Sequence, residues 1–287
     1  LITKICWLSL SGLADVKIAL CNEVLREQPF EEQCTQAARM GYDALEIAPF
    51  TLSDEPHHLS ADAVAKTRSA VADAGLQVSG LHTLMQTPAG LSITANDDTI
   101  AVKTRDVGKR LISLCAELGG RYLVHGSAPQ RNLQTGHQDA SRKRAFTYFE
   151  AMAKAAEQAK VIYCIEPLSP DLTNYVNTVA EAAEIVDQIA SPSLKTMIDC
   201  CHATRSEKTG IPALLWQYVS SGRIAHIHAN DPSRRGPGQG TLDFAGIVQA
   251  IRDTGYKGVI GVEPFVYEPD GLTCAEQSIK YLRSFGA

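Results

Sequence analysis

The chain has 287 residues, 45% of them hydrophobic and 21% charged, which gives enough apolar material for a sizeable core and is ordinary for a water-soluble protein. Its formal net charge of −5 argues against a nucleic-acid binder, which needs a basic stripe to neutralise phosphates. No apolar run reaches membrane-spanning length, and the opening LITKICWLSLSG is too short and too plain for a signal peptide, so a cytoplasmic protein is expected.

In chain order the sequence repeats one rhythm, a short apolar run and then a longer stretch with helical period. Strand-like runs fall at about 2–10, 42–49, 76–83, 120–127, 161–167, 194–200, 223–229 and 258–264. Helix-like stretches fall at about 30–40, 60–74, 100–118, 139–160, 179–190, 210–221, 243–254 and 272–284. The first three end at Gly41, Gly75 and Gly119–Gly120, where a helix C-terminus needs a left-handed residue. Ser60 and Asp243 offer N-caps. Eight strands alternating with eight helices, with no linker or composition break, predict a single (β/α)8 TIM barrel over residues 1–287. A doubly wound sheet is the weaker reading, because no glycine-rich phosphate loop follows the first strand. The longest irregular stretches, about 84–99, 126–138 and 230–242, all follow strands and so belong to the catalytic face of a barrel.

The eight cysteines form no CxxC pair. Cys6, Cys115 and Cys164 lie in apolar runs, and Cys200 and Cys201 are adjacent. They read as buried free thiols of a reducing compartment.

In this fold the active-site groups come from strand C-termini and the loops after them. Glu46, His82, His125, Glu166, Asp199, His228 and Glu263 end seven consecutive strands and are expected on that rim. Glu166, Asp199, His228 and Glu263 form an oxygen-rich set with one nitrogen, suited to Mn²⁺, Mg²⁺ or Co²⁺ more than to structural zinc. Glu46, His82 and His125 are assigned to the substrate. His226 shares a strand face with His228 and is either a group orienting a ligand or a core histidine. His57 and His58 read as solvated, Arg234 or Arg235 as a substrate clamp, and Trp7 and Phe265 as pocket walls or barrel filling.

The segments IEPLSPDLTNYVNT, MIDCCHA, HIHANDPSRRGPGQG and GVEPF resemble the xylose-isomerase-like sugar isomerase/epimerase superfamily, most closely its ketose 3-epimerase branch. The separations also resemble that pattern, at 33 residues from Glu166 to Asp199, 29 on to His228 and 35 on to Glu263. The resemblance implies that Glu166, Asp199, His228 and Glu263 hold one divalent metal, Mn²⁺ first, and that Glu166 and Glu263 are also the catalytic acid/base pair. It places His202 and Arg234 on the substrate. One position departs: the branch carries a further carboxylate six residues after the first ligand, where this chain has Leu172 beside Asp171.

The chemistry expected is removal of a proton α to a carbonyl through a metal-stabilised enediolate. Two carboxylates on opposite sides of the carbon give epimerisation, and one base on one face gives ketose–aldose isomerisation. A lyase acting on an oxidised sugar or glycoside uses the same proton abstraction, and the Leu172 departure keeps that alternative open. An apurinic-site-type endonuclease is disfavoured by the charge. The expected partner is a small carbohydrate, with no nucleic acid and no membrane, and assembly into a homo-oligomer is compatible with the chain.

Overall fold

The computed structural model describes residues 16–286. Eight short strands, β1 (Lys17–Cys21), β2 (Ala44–Ile47), β3 (Gln77–Leu81), β4 (Tyr122–His125), β5 (Ile162–Ile165), β6 (Leu194–Asp199), β7 (Ile224–Ala229) and β8 (Val259–Val262), close into a barrel in sequence order. Every pairing is parallel, and β1 closes the ring against β8 with Ile18 opposite Ile260. Nine helices are described: α1 (Phe30–Met40), α2 (Ala61–Asp73), α3 (Asp98–Leu118), α4 (Gln138–Ala159), α5 (Val179–Ile189), α6 (Cys200–Ser206), α7 (Ile211–Val219), α8 (Phe244–Asp253) and α9 (Gly271–Ser284). The fold is the (β/α)8 barrel that the alternation predicts.

The helix ends follow local chemistry. Gly41 and Gly119 adopt left-handed conformations at φ 96° and 85° as C-caps of α1 and α3. The Ser60, Thr178 and Asp243 side chains accept from backbone N–H groups of α2, α5 and α8.

Two corrections concern elements. The run at 2–10 lies outside the described residues, as do Cys6 and Trp7, and the first barrel strand is Lys17–Cys21. A polar and glycine-containing stretch, SGLADVK, hides that strand behind the longer apolar run. The short α6 has no counterpart in the apolar pattern; Asp199 starts it by accepting from the His202 N–H at 2.7 Å.

Strand alternation sorts the core into two parts. Outward residues such as Leu45, Ile47, Leu123, Tyr163 and Ile165 join the large core under the helices, whereas Tyr122, Val124, Cys164 and Met197 form a separate cluster within the barrel. His125 has the parity of Leu123 and so belongs to the outer layer. It is buried against Tyr148 and Phe149 of α4, with Nδ1 2.8 Å from the Tyr163 hydroxyl. This position replaces the substrate-facing one expected from the strand end.

Burial first, then the Arg131 charge, pushes His125 down from 6.5 to about 3. The unfolded chain therefore binds this proton more readily, so the stability His125 contributes is complete above pH 6.5 and is lost as pH falls from there toward 3. Urea unfolding at pH 7.5 and 4.5 should show His125→Gln losing about 2 kcal/mol less than the parent over that interval. An unchanged pH slope would assign the acid sensitivity to another group.

Candidate metal centre

Inward parity places one acidic or imidazole group at the end of each of four adjacent strands. Glu166 follows β5, Asp199 ends β6, His228 lies near the end of β7 and Glu263 follows β8. All four are buried, and their ligand atoms lie within 4.8 Å of one another. His228 Nδ1 is 2.9 Å from Glu263, 3.4 Å from Glu166 and 3.8 Å from Asp199. A Cβ at Gly126 would overlap the Glu166 carboxylate, so the glycine after β4 makes room for it.

A layer beneath holds this cluster in place. Glu46 is fully buried, with its carboxylate 3.1 Å from His228 Nε2 and 3.0 Å from His226 Nε2, and it accepts a 2.7 Å hydrogen bond from Tyr122. His226 stacks on the Tyr122 ring. Glu46 thus directs His228 Nε2–H downward and leaves Nδ1 facing the three carboxylates; it does not line the cavity where a substrate would sit. His82 is also covered, with Nδ1 3.0 Å from Glu263 and Nε2 2.9 Å from Glu23. Asn230 donates to Asp199 Oδ2 at 2.6 Å and to the Glu263 carbonyl at 3.1 Å.

The electrostatics ask for a cation. Among the described residues no lysine or arginine pairs with Glu166, Asp199 or Glu263, whose side-chain ion-pair partners are histidines. Burial pushes Glu166 up, and neighbouring Glu263 adds to that against the His228 hydrogen bond. Burial also pushes Glu263 up, but His228 and His82 outweigh it and hold it low. Burial lowers His228, yet Glu263 and Glu46 outweigh that and raise it well above its usual value. Buried charges of one sign need a counter-charge, and three carboxylates with one imidazole suit a hard divalent ion.

Above the cluster lies a cavity of about 190 Å³, floored by Glu166 and Glu263. His202 and Arg234 flank it, and Leu168, Leu172 and Phe265 give it apolar walls. Ser169 Oγ fixes His202 Nδ1 at 3.1 Å, and the Arg234 guanidinium lies 4.4 Å from the Phe265 ring centroid. Arg235 turns away to pair with Glu268. Asp171 points to Arg205, so no carboxylate takes the place of Leu172. His57 and His58 line a larger groove of about 910 Å³ beside α3, remote from the four buried groups.

Sequence reasoning missed Glu23, Asn230 and Arg131. Glu23 follows β1, the strand that the apolar pattern puts elsewhere, and Asn230 sits two residues beyond His228, on the same strand face. Arg131 is fully buried with no hydrogen-bond partner for its guanidinium among the described residues, and burial lowers it to about 10 against the opposing pull of Glu166. Nothing in its loop sequence announces that burial.

The closed parallel barrel with polar groups gathered at its strand C-termini defines a TIM-barrel protein with a carboxylate-rich centre. Residues 34–285 match the family described as xylose isomerase-like TIM barrel, and the chain belongs to it. It is 26% identical over 248 residues to the D-psicose 3-epimerase of Ruminiclostridium cellulolyticum, covering 84% of this chain and 80% of that protein. A D-psicose 3-epimerase of Enterocloster bolteae is 34% identical over 127 residues, a match spanning 44% of this chain and 41% of that one. In fold it is similar to a 3-keto-D-glucoside 4-epimerase from Escherichia coli, with a TM-score of 0.80, 20% identity and coverage of 94% and 99%.

The donor set predicts that Mn²⁺ at about 100 times its dissociation constant adds about 2.7 kcal/mol of stability, read as a higher thermal midpoint. Asp199→Asn keeps the α6 cap but loses a charge, and should lose most of that shift. Glu166→Gln, His228→Ala and Glu263→Gln should likewise weaken metal retention. Full metal occupancy in two or more of the four variants would remove the site as drawn.

Proposed function

We propose that this protein is a divalent-metal-dependent isomerase or epimerase of a sugar or sugar-like hydroxy-ketone. The observation that carries the reading is the division of labour within the cluster. Glu166 and Glu263 reach both the ligand centre and the cavity, whereas Asp199 and His228 lie behind them. Of the four, only the two glutamates are placed to exchange a proton with whatever fills the cavity. The names of the sugar epimerases to which the chain is similar support the same class.

Glu166, Asp199, His228 and Glu263 would hold the ion, Mn²⁺ first and Mg²⁺ or Co²⁺ as alternatives. When bound, it supplies Lewis acidity beside the carbonyl and so lowers the cost of removing the adjacent proton. One glutamate removes that proton, and in an epimerase the other, protonated, donates its own proton to the opposite face. His202, oriented by Ser169, and Arg234, braced on Phe265, hold substrate oxygens away from the reacting carbon. The cavity is smaller than the roughly 300–1,000 Å³ common for drug-sized ligands, which fits a single small polyol. The net charge of −5 disfavours a nucleic-acid substrate.

The apolar Leu172 in the wall favours one second reading, a lyase on an oxidised sugar or glycoside. The deciding experiment incubates the Mn²⁺-loaded protein in D₂O with free ketoses, 3-keto-glycosides and sugar phosphates. Deuterium entering one carbon together with an isomer supports the proposal; loss of a leaving group supports the lyase.

Arg234→Ala and His202→Ala should retain the metal and lower kcat/KM about 10- to 100-fold each, as expected for lost polar contacts of about 1.4–2.8 kcal/mol. Unchanged kinetics in both would place the substrate elsewhere on the rim. For Glu166→Asp and Glu263→Asp, deuterium exchange into recovered substrate should outlast product formation, because abstraction needs one base and inversion needs two. Strictly proportional loss of both would reject the two-base account.

A further inference from the structure

A second set of donors lies against the first. Cys21 ends β1, and its sulfur, a nitrogen each of His82 and His228, and a carboxylate oxygen of Glu263 lie within 4.8 Å of one another. All four residues are buried. The two imidazoles are preset for this centre in the same way. Glu23 holds His82 through Nε2 at 2.9 Å, and Glu46 holds His228 through Nε2 at 3.1 Å. In each ring Nδ1 therefore faces the Glu263 carboxylate, at 3.0 and 2.9 Å, and is the nitrogen left to ligate once the proton between them is released. A carboxylate behind each histidine is the arrangement that orients imidazole ligands at metal sites.

The donors differ in kind from those of the first set. One sulfur, two nitrogens and one oxygen form a four-donor set that suits Zn²⁺ or Cd²⁺, whereas Mn²⁺ and Mg²⁺ favour oxygen. We propose that Cys21, His82, His228 and Glu263 form a nested site for a thiophilic divalent ion, and that its occupation excludes a harder ion from Glu166, Asp199, His228 and Glu263. Exclusion follows because His228 and Glu263 belong to both sets. Binding forms one metal–sulfur and two metal–nitrogen bonds and releases to water the Cys21 proton and the protons held between Glu263 and Nδ1 of His82 and His228, with no change in oxidation state. The edge of the nested set nearest the cavity is Glu263, at its floor, so an ion reaches the inner site through the outer one. The site stands on its own geometry; only the exclusion rests on the reading of the outer set as a manganese centre.

The test titrates the whole metal-free chain with Cd²⁺ and records the ultraviolet sulfur-to-cadmium charge-transfer band. The control thiol is Cys201, which lies within ligand distance of Asp199 and His202. One equivalent of band is expected in the parent and in Cys201→Ser, and none in Cys21→Ser. His82→Gln should weaken Cd²⁺ at least about 10-fold, and Glu23→Gln, which frees the His82 ring, about 10-fold or more. Absence of the band in the parent, its persistence in Cys21→Ser or its loss in Cys201→Ser would each overturn the nested site. Mn²⁺ release, followed by its paramagnetic resonance signal, tests exclusion. Cd²⁺ should expel Mn²⁺ from the parent at least about 10-fold more readily than from Cys21→Ser, and simultaneous full occupancy by both ions would reject exclusion. A protein that shows the Cys21-dependent band but never binds Mn²⁺ keeps the nested site and loses the manganese reading.

Discussion

The imidazole of His228 is the fixed point of the barrel's polar interior. Its lower nitrogen faces Glu46 and its upper nitrogen faces Glu263, Glu166 and Asp199. Four carboxylates around one ring would repel each other severely in a buried space, and the structure separates them into two layers with the ring between. Glu46 is met from below by His226 and Tyr122 and from above by the His228 ring, so it is hydrogen-bonded on both sides. The upper three are left in deficit. Buried carboxylates left in such a deficit favour a cation among them.

Much of this is legible in the sequence. Seven strands of the closed barrel lie within a few residues of their apolar runs, since each carries a buried β-rich segment between turn residues. Glu166, Asp199, His228 and Glu263 are readable as a group because each closes such a run. Depth is less legible. A strand end fixes height along the barrel, but one residue of parity decides inside from outside, and His125 shares its face with Leu123 rather than with Val124. Glu46 and His82 point inward but lie in contact with other buried groups, a difference set by the stagger of neighbouring strands. The bulges after Leu45 and Thr196 alter that stagger and leave no mark in composition. Glu23 stays hidden as long as the first strand is misplaced, for a charged residue in CNEVL reads as helix surface until the strand before it is known.

The two layers also divide the kinds of change the protein can tolerate. The polar groups of the lower layer, Glu46, His226 and Tyr122, are bonded to one another and to His228, so their substitution strands buried polar groups. The cavity wall is different. Leu168, Leu172 and Phe265 carry no buried polar partner whose loss would strand a charge, and exchange there alters what fits without disturbing what holds the cluster. A side chain such as Leu172 can therefore differ from the related pattern while the four groups beneath it keep their arrangement.

The loops after β7 and β8 are tied together most closely at Arg234, besides the Asn230 bond to the Glu263 carbonyl and the Arg235–Glu268 pair. Arg234, in the left-handed region at φ 68°, accepts backbone hydrogen bonds from Phe265 and Val266 through its carbonyl and lays its guanidinium over the Phe265 ring. The two loops thus form one mechanical unit, although a whole helix and strand separate them in the chain. Grafting either loop alone onto another barrel would transplant half of this unit, whereas moving both as a cassette carries the cavity-lining arginine together with the surface that aims it.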